Sequence, residues 1–256
     1  MTRILLTNDD GIHSNGLVKL EHALSEIGDV YVVAPAAEMS GASHSLTLAR
    51  PLRIRQIDER HWTVDGTPTD CVTLALNKIL PPEEHPDICA SGINHGGNLG
   101  DDATYSGTVA GALEATILGV PGLAFSLVAR ENFDFTEAAR FAVLAVRKVL
   151  AEQLPEGTLL NINIPPGEIK GAMVTRQGIT NARPVISEHI DPRGKPYFWI
   201  GEEYFNSNAA GGTDYNAIER GYISVTPLRS DMTDHQALAA IDSWNYITAP
   251  EVLQKT

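Results

Sequence analysis

An alternation in the first half of the chain constrains its fold more than any other feature. Short, continuously apolar runs take turns with stretches of helical spacing. Residues 3–7, Val30-Tyr31-Val32-Val33-Ala34 before Pro35, Asp87-Ile88-Cys89-Ala90 and Leu123-Ala124-Phe125 read as buried strands. Between them, Leu17, Leu20, Leu24 and Ile27 recur as one helical face, with Gly28 as its expected stop. Thr67-Pro68-Thr69-Asp70 opens a second helix, with Thr67 as cap, Pro68 at the first position and an acidic third residue. Its apolar face continues through Leu74 and Ile79. A third helix runs from Ser106 to Leu118, closed by Gly119 and Pro121. This order predicts an α/β fold with a mostly parallel, doubly wound sheet and right-handed crossovers.

The second half is less regular. After a strand pair expected over 52–65 in the first half, the second half opens with a helix over 135–152, followed by a strand over Leu159–Ile164. Further strands are expected at 172–176 and 222–226, separated by a long polar segment that includes Asp191-Pro192-Arg193-Gly194-Lys195. Segments of that length are usually functional or engage a partner. A short terminal helix is expected over 233–244, with Leu238 and Ile241 on one face. No repeat or linker divides the 256 residues, so a single domain is expected over 1–256.

Charge and composition exclude several classes of function. The net charge of −13 opposes stable binding of DNA or RNA polymers, which needs basic patches against phosphates. Small nucleotides stay open, because backbone amides and metals outweigh a global field locally. No run is long enough for a membrane span, and the start lacks a secretory pattern. Cys71 and Cys89 sit in apolar segments and read as buried free thiols, so a cytoplasmic location is expected.

Asn8-Asp9-Asp10-Gly11 follows the first strand, at the sheet edge where open α/β folds bind ligands. Adjacent carboxylates repel, and a hard divalent cation relieves that cost through oxygen ligands. An acidic turn, with Asp10 as helix cap and Gly11 at positive φ, is the plain alternative. The loop after the second strand offers Ser40 as a hydroxyl ligand and His44 as a hydrogen-bonding residue. In Ser91-Gly92-Ile93-Asn94-His95-Gly96-Gly97-Asn98, Asn94 can give a carbonyl oxygen to a cation and Asn98 amide hydrogens to a phosphate. Ser106-Gly107-Thr108 opens a helix whose free amides make an anion cradle, unless Ser106 simply caps it. Asp101 and Asp102 read as solvated loop charges. Walker A, HExxH and GxSxG patterns are absent.

Together these pieces resemble the stationary-phase survival protein SurE family of metal-dependent 5′/3′-nucleotidases. The resemblance rests on Ile4-Leu5-Leu6-Thr7-Asn8-Asp9-Asp10-Gly11, Val33-Ala34-Pro35, Ser40-Gly41-Ala42-Ser43, Gly66-Thr67-Pro68-Thr69-Asp70-Cys71, Ser91-Gly92-Ile93-Asn94 and Tyr105-Ser106-Gly107-Thr108. Thr213-Asp214 and Val225-Thr226-Pro227-Leu228 extend it to nearly full length. One departure is Gly97, where the family commonly has Pro.

The resemblance implies a Rossmann-like core over about 1–185 plus 216–230. It adds an oligomerisation arm or hairpin over about 186–215 and a C-terminal helix over 231–248. Asp9, Asp10, Ser40 and Asn94 would hold one Mg or Mn ion per subunit, and Asn98, Ser106, Gly107 and Thr108 the phosphate. Asp9 and Asn8 would act in catalysis, Asp9 beside the attacking water and Asn8 donating to the developing charge. The expected substrates are nucleoside 5′-monophosphates, with 3′-monophosphates and short polyphosphate as further options. The expected assembly is a homodimer or homotetramer with exchanged C-terminal segments. Three rivals are a non-hydrolysing nucleotide sensor, an enzyme of glycosyl or nucleotidyl transfer, and an assembly protein. A non-aromatic pocket leaves the nucleobase open, with Tyr105 as either stacking or packing residue.

Overall fold

The computed structural model describes residues 2–179, 182–204 and 210–244, with side chains described except at 182–184 and 202–204. Strand β1 (Arg3–Thr7) is followed by helix α1 (Asn15–Leu24), strands β2 (Asp29–Pro35), β3 (Ile54–Gln56) and β4 (His61–Val64), and helix α2 (Pro68–Leu74). Next come β5 (Ile88–His95), α3 (Gly107–Ile117), β6 (Gly122–Leu127), α4 (Thr136–Glu152) and β7 (Thr158–Ile164). Strands β8 (Ala172–Val174), β9 (Ala182–Ile190) and β10 (Pro196–Tyr204), helix α5 (Asp214–Glu219), strand β11 (Ile223–Arg229) and helix α6 (Ala237–Asp242) complete the order.

Nine strands form one sheet in the order β3-β4-β2-β1-β5-β6-β7-β11-β8. All neighbours are parallel except β3 with β4 and β7 with β11. From β1 the chain winds one way to β2 and β4, and the other way to β5, β6 and β7. The crevice above the carboxyl ends of β1 and β5 is therefore the switch point, where such sheets bind ligands.

Strand alternation supplies both faces. Ile4 and Leu6 point to a core shared with Leu17, Leu20 and Leu24 of α1 and Ala138, Ala142 and Val146 of α4. Leu5 points the other way, to Val33, Cys89, Cys71 and Val72 of α2, and Ala115 of α3. Each fully buried leucine contributes roughly 1.5–3 kcal/mol.

The expected strands and helices are present, including the reciprocal capping box between Thr67 and Asp70, but the terminal helix covers only Ala237–Asp242 of the expected 233–244. Three further details differ. Helix α1 ends at Leu24 with Ser25 as cap, so Gly28 is not its stop. A Cβ at Gly28 would lie 2.5 Å from the Thr2 carbonyl oxygen, so the missing side chain admits the neighbouring strand. Helix α2 continues as a π-helical turn over Ala75–Ile79. Strand β5 runs on to His95, with a register shift between Ser91 and Asn94 against β6. The hairpin that the resemblance implies is present, β9 antiparallel to β10, and it forms its own sheet. Part of the expected terminal helix, 245–248, lies outside the described residues.

Candidate active site

Four loops at the carboxyl edge of the sheet are tied to one another by hydrogen bonds. Asp9 lies at the centre, only 4% exposed. Its carbonyl oxygen accepts from the Met39 amide at 2.7 Å, which brings the Ser40 loop alongside. Its carboxylate sits on the first turn of α3. Oδ2 accepts from the Thr108 amide at 3.1 Å, and Oδ1 from the Thr108 hydroxyl in a short bond. The helix N-terminus thus receives an anion, as its unpaired amides favour, but that anion is a side chain of the protein. Burial holds the Asp9 carboxyl above its usual range, the Asp10 charge adds to this, and the Thr108 bonds oppose it.

Asp10 does not cap α1; Ser14 does. Gly11 takes the expected positive φ, 92°. Asn8 spends both amide hydrogens within its own loop, on the Gly11 carbonyl oxygen at 3.0 Å and Ser14 Oγ at 2.7 Å. In this arrangement it has none left for a substrate. Asp10 Oδ2 lies 3.0 Å from His95 Nδ1 and 3.4 Å from the His95 amide.

Asn94 reaches the site through the bulge in β5, and bulges re-aim side chains in this way. Its Nδ2 donates to the Gly96 carbonyl oxygen at 3.0 Å, which turns Oδ1 free for a cation. Ser40 is exposed and donates to Glu38 Oε1 at 2.8 Å. Its loop is strapped down further along. Ser43 binds the Tyr105 and Thr104 carbonyl oxygens at 3.0 and 2.7 Å, and His44 Nε2 lies 2.8 Å from Glu114 Oε2. His44 is therefore a hydrogen-bonding loop residue, as expected.

Ser106 caps α3 by accepting from the Val109 amide at 3.0 Å, and the helix begins beside Asp9 at the crevice. Asn98 is 6% exposed and lies in a buried asparagine cluster. Its Nδ2 donates to Ser126 Oγ at 2.7 Å, its amide to Asn163 Oδ1 at 2.8 Å, and its carbonyl oxygen accepts from Asn161 and Asn163. One Nδ2 hydrogen remains for a ligand. The next turn is anchored by Asp214, fully buried, which accepts from the Gly100 amide at 2.8 Å and the Gly178 amide at 2.9 Å. Tyr105 is 65% exposed, so it is not a packing residue. Asp101 is exposed and Asp102 half-buried.

Sequence reasoning missed the parts played by His95, by Asp214 and by Thr73, whose hydroxyl donates to Glu114 Oε1 at 2.8 Å. A lone histidine or threonine carries no local signal, and Asp214 lies far along the chain from the loop it anchors. Among the described residues no three His, Cys, Asp or Glu side chains gather as a metal site. A cation here has to draw on two carboxylates and neutral oxygens, the donor set that suits a hard ion. Asp9 and Asp10 fit that role. Among the described residues neither pairs with a lysine or arginine, and the free Asn94 Oδ1 lies on the adjoining strand end.

A family model described as "Survival protein SurE" matches residues 4–184. Over 245 residues the chain is 51% identical to "5'-nucleotidase SurE" of Aquifex aeolicus, covering 94% of this chain and 97% of that one. It is 50% identical over 244 residues to the protein of the same name from Myxococcus xanthus, covering 94% and 93%. The crystal structure of the SurE protein from Aquifex aeolicus superposes with a TM-score of 0.84 at 50% identity, covering 96% of this chain and 99% of that one.

Proposed function

The chain belongs to the Survival protein SurE family, and from that premise we propose a metal-dependent phosphomonoesterase acting on nucleoside 5′-monophosphates. The observation that carries this reading is the Asp9–Asp10 pair at the switch point, held by neutral donors beside the first turn of α3. Asp9, Asp10, Asn94 Oδ1 and the Ser40 hydroxyl would hold one Mg or Mn ion, Ser40 after turning from Glu38. When bound, such an ion polarises the phosphate and lowers the pKa of a coordinated water.

The chain's own groups do the rest. The Ser106 and Gly107 amides and the spare Asn98 hydrogen bind the phosphate oxygens. Thr108 fixes Asp9, whose carboxylate at the crevice is the group placed to take a proton from the attacking water. Asn8 is a positioning residue that shapes the Asp9 loop, in place of the donor role read from sequence. Support for a homodimer or homotetramer with exchanged C-terminal segments comes from the β9–β10 hairpin, which exposes Ile186, Phe198, Trp199 and Ile200. A cytoplasmic location is supported by the two buried free thiols. No helix among the described residues is long and apolar enough to cross a membrane.

The test is phosphate release from 5′- and 3′-nucleotides and short polyphosphate, with each divalent metal and after chelation. Release of nucleoside and phosphate only with metal is expected, and Asp9→Asn should lower turnover at least about 100-fold while the fold persists. Saturable nucleotide binding without phosphate release, across all metals, would select a sensor instead.

A further inference from the structure

His95 stands immediately after Asn94 at the end of β5, and the bulge that delivers Asn94 delivers it too. Its backbone amide and its ring Nδ1 both address Asp10 Oδ2, at 3.4 and 3.0 Å. A carboxylate only accepts, so the imidazole hydrogen must be on Nδ1. Both contacts fall on the same carboxylate oxygen. The ring itself is clamped edge-on by Phe133 and Phe135, with centroids at 4.8 and 4.9 Å, and those two rings stack 9° from parallel. Phe135 is 3% exposed and belongs to the main core, so the clamp is anchored in the body of the protein. Core, aromatic pair, imidazole and carboxylate thus form one chain of contacts leading to the crevice.

We propose that His95 is a positioning residue that fixes Asp10 so that Oδ1 alone faces the cation. This inference rests on the metal-site reading above and names how one of its ligands is oriented. Outer partners of a ligand carboxylate set its direction, and losing one typically lowers metal affinity about 10–100-fold. Phe133 and Phe135 act one step further out, by restricting the imidazole to the ring plane that reaches Oδ2.

The experiment is Mn(II) binding by electron paramagnetic resonance on the full chain, with thermal melting to confirm folding of each variant. His95→Ala and His95→Phe should both weaken Mn(II) binding about 10–100-fold. The phenylalanine keeps the aromatic packing but has no donor. His95→Asn should recover most of the affinity, because its Nδ2 occupies nearly the place of the imidazole Nδ1. Phe133→Ala should cost less than His95→Ala. In turnover, the His95→Ala loss should diminish as Mn(II) is raised toward saturation. An unchanged Mn(II) affinity in folded His95→Phe reduces the residue to packing and overturns the proposal alone. Absence of Mn(II) binding by the unaltered chain overturns both this proposal and the reading beneath it.

Discussion

Gly107 decides whether Asp9 can reach the helix that holds it. A Cβ at this position would come within 2.8 Å of Asp9 Cβ, 3.0 Å of Asp9 Oδ2 and 3.2 Å of Pro68 Cγ. The sequence suggests a small residue that opens a phosphate cradle, and the structure adds that the same smallness admits a carboxylate from β1's loop. Gly107→Ala must push Asp9 off Thr108, and a displacement near an ångström at a reacting centre costs about 100-fold. A loss of kcat/KM of that size, with a near-normal melting temperature, is expected. Near wild-type turnover in the variant would show that Asp9 has room the contacts deny it. The two aspartates and Asn94 stood out in the sequence because adjacent carboxylates and an amide at the carboxyl ends of apolar strands fall where open α/β sheets bind ligands. Asn8 was legible as important but not in its role, since only coordinates show where both amide hydrogens go.

At the scale of elements, α3 does two jobs. Its first turn receives Asp9, and its third carries Glu114, only 7% exposed, facing the strap between β2 and β3. Glu114 accepts from His44 at 2.8 Å through one oxygen and from the Thr73 hydroxyl at 2.8 Å through the other. Asp70 ties the next part of the strap through the Thr47 amide and hydroxyl, at 2.9 and 2.6 Å. The His44 bond holds the Glu114 carboxyl below its ordinary value against the opposing effect of burial. Because the folded value lies below the unfolded one, this contribution is present above the ordinary glutamate range. It is lost as pH falls through the lowered value. Glu114→Gln should cost about 1 kcal/mol near neutral pH and flatten the acid side of a melting-temperature profile. An acid limb as steep as in the unaltered protein would remove Glu114 from this role. The helix starts that frame the strap were legible because caps are local: Thr67 and Ser106 declare themselves within three residues. The strap's ties span 23 to 70 residues and leave no local trace.

For the whole molecule, the doubly wound core was legible because parallel strands buried on both faces read as unbroken apolar runs. The hairpin came only with the family resemblance, and its register explains why periodicity does not announce it. Ile186 and Ile200 face each other across the two strands, with Ile190 and Phe198 on the same face. Val185, Tyr197 and Trp199 occupy the opposite face, where Tyr197 stacks on His189 at 5.5 Å. Each face mixes large apolar side chains with polar ones, Glu188 opposite Phe198 and Ser187 opposite Trp199, so the polar–apolar alternation that announces a half-buried strand never appears. Ile186 is 57% exposed, Phe198 58%, Trp199 66% and Ile200 79%. A two-stranded hairpin is marginal alone in water, and an apolar patch of this kind marks a binding surface. A second copy of the chain is the occupant proposed here, since an arm of identical elements exchanged between subunits covers both faces at once. Light scattering after size exclusion should therefore give at least twice the chain mass. The paired substitution Ile186→Lys with Ile200→Lys should shift the protein to the monomer. Mn(II) binding should survive it, because Asp9, Asp10, Ser40 and Asn94 all lie at strand ends or loops of the main sheet, outside the hairpin. A monomeric unaltered protein, or an assembly indifferent to both lysines, would assign the hairpin's exposed apolar side chains to something other than a second subunit.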